Sequence, residues 1–178
     1  MKTSSSSALV FCVLFFSFSE SFGLTKQIEI PFGDKIETCL SNEDIWDDLS
    51  SALLNSEDSR LWPNAKSNVR GDGLVENGLI AVKYKINFFY RPVFKYFISD
   101  VVAYRSFSYT ATEEHPFTGG AHLEIHDNGI RRKLIWQGVY HPKNESSLAR
   151  DIFKNYSQDF FAELRKHFRH LEAEVCTN

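Results

Sequence analysis

"SLARDIFKNYSQDFFAELRKHFRHLEAEV", residues 147–175, decides how the rest of this chain must be built. Leu148, Ile152, Tyr156, Phe160, Leu164, Phe168, Leu171 and Val175 recur at intervals of three and four. That spacing predicts one helix, Ser147 to Val175, with an apolar stripe about seven turns long. A lone helix of this length must bury its stripe on a partner surface, and here the one surface large enough is the concave face of an antiparallel sheet.

The preceding segments supply such a sheet. Lys26 to Thr38 alternates through Ile28, Ile30, Phe32 and Ile36 and reads as a first strand, with a bend at Pro31-Phe32-Gly33. "LSNEDIWDDLSSALLNSEDSRLWPNAK", residues 40–66, then opens a helix. Ser41 is its N-cap, and Asn42, Glu43 and Asp44 place acid where the helix dipole favours it. A second short helix or turn closes at Trp62-Pro63, whose proline ring ends regular helix. Gly71 to Val75 reads as a short strand. Residues 79–89 place Ile80, Val82, Tyr84, Ile86 and Phe88 on one face, and Lys83, Lys85 and Asn87 on the other. Phe94 to Ile98 reads as a further strand. Val101 to Thr112 reads as a single long one, with Val101, Ala103, Arg105, Phe107, Tyr109 and Ala111 facing one way. Residues 121–126 and 130–140 form a hairpin around Asn128-Gly129, a two-residue turn signal. Such a turn sets Glu124 opposite Lys133, His126 opposite Arg131, Leu123 opposite Leu134 and Ala121 opposite Trp136.

The chain has 178 residues and a net charge of −3, which predicts one domain and no basic face for nucleic acid. Residues 1–23 read as a secretory signal peptide: Lys2, an apolar run from Ala8 to Phe18, and Ser21-Phe22-Gly23 before a cleavage at Leu24. Residues 24–178 would then be exported as a secreted or periplasmic domain, with no stable membrane insertion after cleavage. Two cysteines remain in that part, Cys39 and Cys176. In an exported protein an even pair suggests a disulfide, the alternative being two free thiols. Asn144-Glu145-Ser146 and Asn155-Tyr156-Ser157 are sequons that matter only in a glycosylating host.

Strand, two short helices, a run of antiparallel strands and one long final helix: this α+β order resembles the START/Bet v 1-like (SRPBCC, polyketide cyclase/dehydrase-type) helix-grip superfamily. Ile45-Trp46 on the first helix, Trp62-Pro63 after the second and a turn at Gly71-Asp72-Gly73 are similar to the family's opening. The resemblance covers nearly all of residues 24–178. It implies a curved sheet gripping the last helix, with a cavity between them. Family members bind lipids, sterols, quinones or polyketides, and a few are cyclases. The resemblance also implies that Cys39 lies beside the end of the long helix, which favours the bridge to Cys176. No shared catalytic motif exists to transfer, and no cofactor is implied.

His122, Glu124 and His126 lie in "GGAHLEIHDNG", residues 119–129. Glycines before and a turn after make this a strand rather than the helical zinc motif. His122 and His126 would be about 13 Å apart on it and could not share one ion. They read as the wet outer face, with Glu124 in a cross-strand ion pair. His115, His141, His167 and His170 read as surface residues.

The residues selected for ligand binding are Tyr84, Arg105, Trp136 and Tyr156, each on an inward-reading face. Arg105 would anchor an acidic or carbonyl group or pair with a buried carboxylate. The aromatic three would each offer one polar atom in an apolar wall, or simply fill the core. No catalytic Ser-His-Asp, Cys-His or paired-carboxylate arrangement emerges from spacing. The expected function is to hold a hydrophobic small molecule or lipid between sheet and helix without turning it over. Two competing readings are a cyclase/dehydrase-type enzyme acting on a hydrophobic carbonyl substrate, and a packed domain acting through its surface.

Overall fold

Strands alternate as their period-two pattern requires, and they assemble into one antiparallel sheet. The computed structural model describes residues 28–56, 69–83, 92–144 and 147–176. Among them the elements are β1 (Ile30–Thr38), α1 (Asn42–Leu54), β2 (Asn55–Ser56), β3 (Val69–Gly71), β4 (Leu79–Lys83), β5 (Val93–Val102), β6 (Ser106–Ala111), β7 (Phe117–Asp127), β8 (Arg132–Pro142) and α2 (Ser147–Val175). The strand order is β1-β8-β7-β6-β5-β4-β3-β2, so the first strand pairs with the last. The signal peptide, the second short helix with Trp62-Pro63, Tyr84, and Glu145-Ser146 of the first sequon lie outside the described residues.

The N-cap of α1 forms as its sequence requires. Ser41 Oγ accepts from the Asp44 amide at 3.0 Å, and Asp44 returns a bond to the Ser41 amide at 3.1 Å. The buried stripe of α1 is Ile45, Trp46, Leu49 and Leu53. The long helix α2 occupies the predicted span and buries Phe160, Phe161, Leu164 and Phe168 against the sheet. Trp136 on β8 meets Phe160 edge-on at 5.2 Å, and Phe32 on β1 meets Phe153 at 5.4 Å. Arg165 of α2 pairs with Asp34 of β1. Beyond Phe168 the packing thins: Leu171 is half-buried and Val175 is 51% exposed. A disulfide joins Cys39 to Cys176 and ties the end of α2 to the start of α1.

Three strand readings are corrected. The stretch Val101 to Thr112 is two strands, not one, because the chain turns at residues 103–105 between β5 and β6. Val102 still pairs Ser106 across that turn, so alternation resumes in phase and the sequence shows no break. The β7–β8 hairpin is displaced by two residues from a tight Asn128-Gly129 turn. Leu123 faces Trp136, Ala121 faces Gly138, Glu124 faces Ile135 and His126 faces Lys133. A wider loop closes it: Asp127 accepts from the Gly129 amide at 2.8 Å, and Arg132 donates to the Gly129 carbonyl at 2.7 Å. Gly71 ends β3 rather than beginning a strand, and residues 72–78 form the turn into β4.

Candidate functional site

The space between the sheet and α2 is lined almost wholly by rings. Two small cavities there are bounded by described residues. One, of about 20 Å³, is bounded by Leu53, Ile80, Tyr96, Phe107, Tyr109 and Trp136. The other, of about 30 Å³, is bounded by rings that include Phe32, Tyr96, Tyr109, Tyr140, Tyr156 and Phe160. Tyr96 and Tyr109 belong to both walls and separate the two spaces. Each is large enough for about one water.

The polar atoms of this interior come from strands β5 to β8, the loop before β7 and, through Tyr156, α2. Trp136 Nε1 donates to Tyr109 Oη at 3.2 Å. Tyr140 lies near enough to Tyr109 for the two phenols to influence each other's ionisation. Tyr96 Oη lies 3.0 Å from His115 Nε2, and the other ring nitrogen of His115 lies 3.0 Å from the Phe117 amide nitrogen. Phe94, Tyr96, Phe117 and Tyr140 surround His115, whose exposure is 4%. Burial holds the Tyr109 and Tyr140 phenols well above their ordinary range, so both remain protonated donors.

Burial lowers the His115 pKa to about 4; the Phe117 backbone partly opposes this, and Lys143 adds to it. The imidazole is therefore neutral when folded. Because its folded pKa lies below the ordinary 6.5, the stabilisation is complete above pH 6.5 and is lost as pH falls toward 4. The unfolding free energy should drop by about 2 kcal/mol between pH 7.5 and pH 5. Urea titrations at the two pH values check this, and His115→Gln should flatten that part of the dependence. An equal slope in both proteins would refute it.

The sequence-selected residues distribute unevenly. Trp136 is 4% exposed and lies on both the inner face and the cavity wall. Tyr156 is half-buried on the wall of the larger cavity. Arg105 is corrected: it sits in the β5–β6 turn and is exposed, because the chain reverses there instead of continuing inward. Its backbone is what the fold uses, its carbonyl accepting from the Ile125 amide at 2.7 Å. His115 is the opposite correction, read as a surface residue but buried. His167 is also drawn in, 2.7 Å from Asp48 of α1. On the outer face of β7, His122 Nδ1 lies 3.0 Å from Ser108 Oγ, and His126 pairs Glu124 of its own strand at 2.9 Å. Among the described residues no group of three His, Cys, Asp or Glu could hold a metal ion, and no helix is long and apolar enough to cross a membrane.

Tyr96, Tyr109, Tyr140 and His115 were not selected from sequence. Tyr109 read as inward, but nothing in one strand's pattern reveals which neighbour's hydroxyl or indole it will meet.

No protein-family model matches the chain, and no curated protein matches it. Solved structures do resemble it. Norcoclaurine synthase from Thalictrum flavum, in complex with dopamine and hydroxybenzaldehyde, superposes with a TM-score of 0.61 at 15% identity, over 84% of this chain and 89% of that one. The Zhui aromatase/cyclase from Streptomyces sp. R1128 gives 0.62 at 8% identity, over 78% and 90%. Ara h 8.0201 gives 0.59 at 10% identity, over 80% and 99%. These likenesses establish the fold: the chain has the Bet v 1-like helix-grip architecture, a curved antiparallel sheet wrapped around a long C-terminal helix.

Proposed function

We propose that the chain is an exported protein that holds one small hydrophobic molecule, with a polar head, between the sheet and α2. The observation that carries this reading is the polar set around the two cavities. Tyr96, Tyr109, Tyr140, Trp136 and His115 bring hydroxyls, an indole N–H and an imidazole into an otherwise apolar interior. Burying each such group costs free energy unless it is bonded, and phenylalanine would pack the same space without that cost. The norcoclaurine synthase complex supports the reading at the level of fold, since that protein holds two small aromatic molecules. The Cys39–Cys176 bridge supports export, because such bonds persist in oxidising compartments.

A second reading is favoured by the cavity volumes themselves. At about 20 and 30 Å³ the two cavities bounded by described residues are nearly filled, which fits a packed domain acting through its surface. Native mass spectrometry of residues 24–178, purified from an oxidising compartment and then solvent-extracted, separates the two. The ligand reading expects about one organic molecule per chain. A protein that is empty, and whose melting temperature no apolar ligand raises, would establish the filled core instead.

A further inference from the structure

The sequon Asn155-Tyr156-Ser157 lies wholly within α2, and the helix divides it. Asn155 is exposed. It precedes the fully buried Leu164 by nine residues, about two and a half turns, so the two side chains face opposite ways. A large polar group on Asn155 would therefore project into solvent and leave the packing against the sheet untouched. Ser157 is half-buried and borders the larger cavity beside Tyr156. Its Oγ donates to the Lys154 carbonyl at 2.9 Å. Residues two apart on a helix point about 200° from each other, so one enzyme site cannot reach the Asn155 amide and the Ser157 hydroxyl together. The sequon is defined by both residues. In an extended segment the two share one side, about 7 Å apart, and both come within reach.

We propose that Asn155 is an acceptor for an N-linked glycan and is open only until α2 forms, so that its occupancy is fixed during folding. This rests on the export proposed above and goes beyond it. The donor is an oligosaccharide carried on a lipid diphosphate, brought by the transferase of a glycosylating secretory compartment. The Asn155 amide nitrogen attacks C1 of that sugar. The N–C1 bond forms, the C1–O bond to phosphate breaks, and the lipid diphosphate leaves. The amide proton passes to a base of the transferase, and nothing is oxidised or reduced. The Cys39–Cys176 bond bears on when the acceptor closes. It ties the end of α2 to the start of α1, where the helix is otherwise thinly anchored. Until that bond forms, α2 opens more readily and the sequon stays within reach.

The full chain is expressed in a eukaryotic secretory cell line with Asn144→Gln, which removes the other sequon. Total protein from cells and medium is treated with peptide-N-glycosidase, and mass spectrometry reads the fraction of Asn155 converted to the acid. Part of the chain should carry the glycan, and Asn155→Gln should remove it. Cys176→Ser, which delays the docking of α2, should raise the occupied fraction. Total protein is read, so this result stands even where that variant folds poorly. In a second measurement, folded and oxidised residues 24–178 are incubated with the transferase and its lipid-linked donor. They should be modified at least about a hundredfold more slowly than the reduced, unfolded chain, since only the opened fraction can react. An unmodified Asn155 in protein that has reached the medium overturns the proposal and leaves export standing. A fraction unchanged by Cys176→Ser, or equal modification of folded and unfolded chains, overturns the closing of the acceptor by α2. A chain retained in the cytosol with residues 1–23 still attached overturns both readings.

Discussion

Replacing Cys176 with serine, or reducing the Cys39–Cys176 bond, should lower the unfolding free energy by about 5 kcal/mol, the largest single loss expected in this protein. The bond spans a separation of 137 residues, nearly the whole of the folded chain. Opening it returns that loop-closure entropy to the unfolded ensemble. The native state also contributes, because the last turns of α2 have few other anchors. Phe168 is 1% exposed, whereas Val175 is 51% exposed. Between them, Glu172 accepts from the Cys39 amide at 3.0 Å and pairs Arg131 at 3.3 Å. Half-exposed ion pairs of that kind contribute little once screened. Urea unfolding with and without dithiothreitol measures the effect, and amide exchange should quicken first at residues 169–175. A reduced protein within about 1 kcal/mol of the oxidised one would show that packing at Phe160 to Phe168 holds the helix unaided.

What was legible in the sequence follows the range of the interactions involved. The span of α2, the middle of its stripe at Phe160, Leu164 and Phe168, and the cap at Ser41 depend on residues within a turn or two. They stand where the pattern put them, whereas Val175 at the end of the stripe is exposed. The inner face of the hairpin is also as read, with Leu123, Leu134 and Trp136 buried. It survived a displaced register because side chains alternate with period two, and a shift of two restores every residue to its face. The partners themselves were not legible, since the Asp127 and Arg132 bonds that widen the loop outweigh the Asn128-Gly129 signal. Arg105 misled for a related reason. The turn at residues 103–105 contains neither glycine nor proline; Tyr104 supplies the positive φ there, 61°, and Asp100, with 53°, sits at the register shift inside β5 just before it. His115 follows two glutamates and precedes a proline, which reads as exposed loop. Its burial is created by Phe94, Tyr96 and Tyr140, from strands that no local window contains.

That dependence of the site on strand approach makes Gly120 the most sensitive position near it. Gly120 on β7 pairs Thr110 on β6, the residue after Tyr109. A Cβ built there would lie 1.9 Å from the Tyr109 carbonyl oxygen and 2.9 Å from Thr110 Cα. Both obstacles are backbone, so no side chain can swing aside and the two strands must part. Gly120→Ala should therefore cost about 3 kcal/mol or more, in the range reserved for forced backbone movement in a core. It should also displace Tyr109 from Trp136, changing the near-ultraviolet signal of the indole in the protein that remains folded. Gly129→Ala is the matched comparison. Its φ of 84° also disfavours a side chain, but nothing lies within 4 Å of its Cβ. The strain there alone should cost about 1 kcal/mol and leave the indole signal unchanged. Thermal melts of the two variants separate conformational strain from strand collision. If they proved equally stable, the closeness of β6 and β7 at Tyr109 could not be what holds the interior in its present shape.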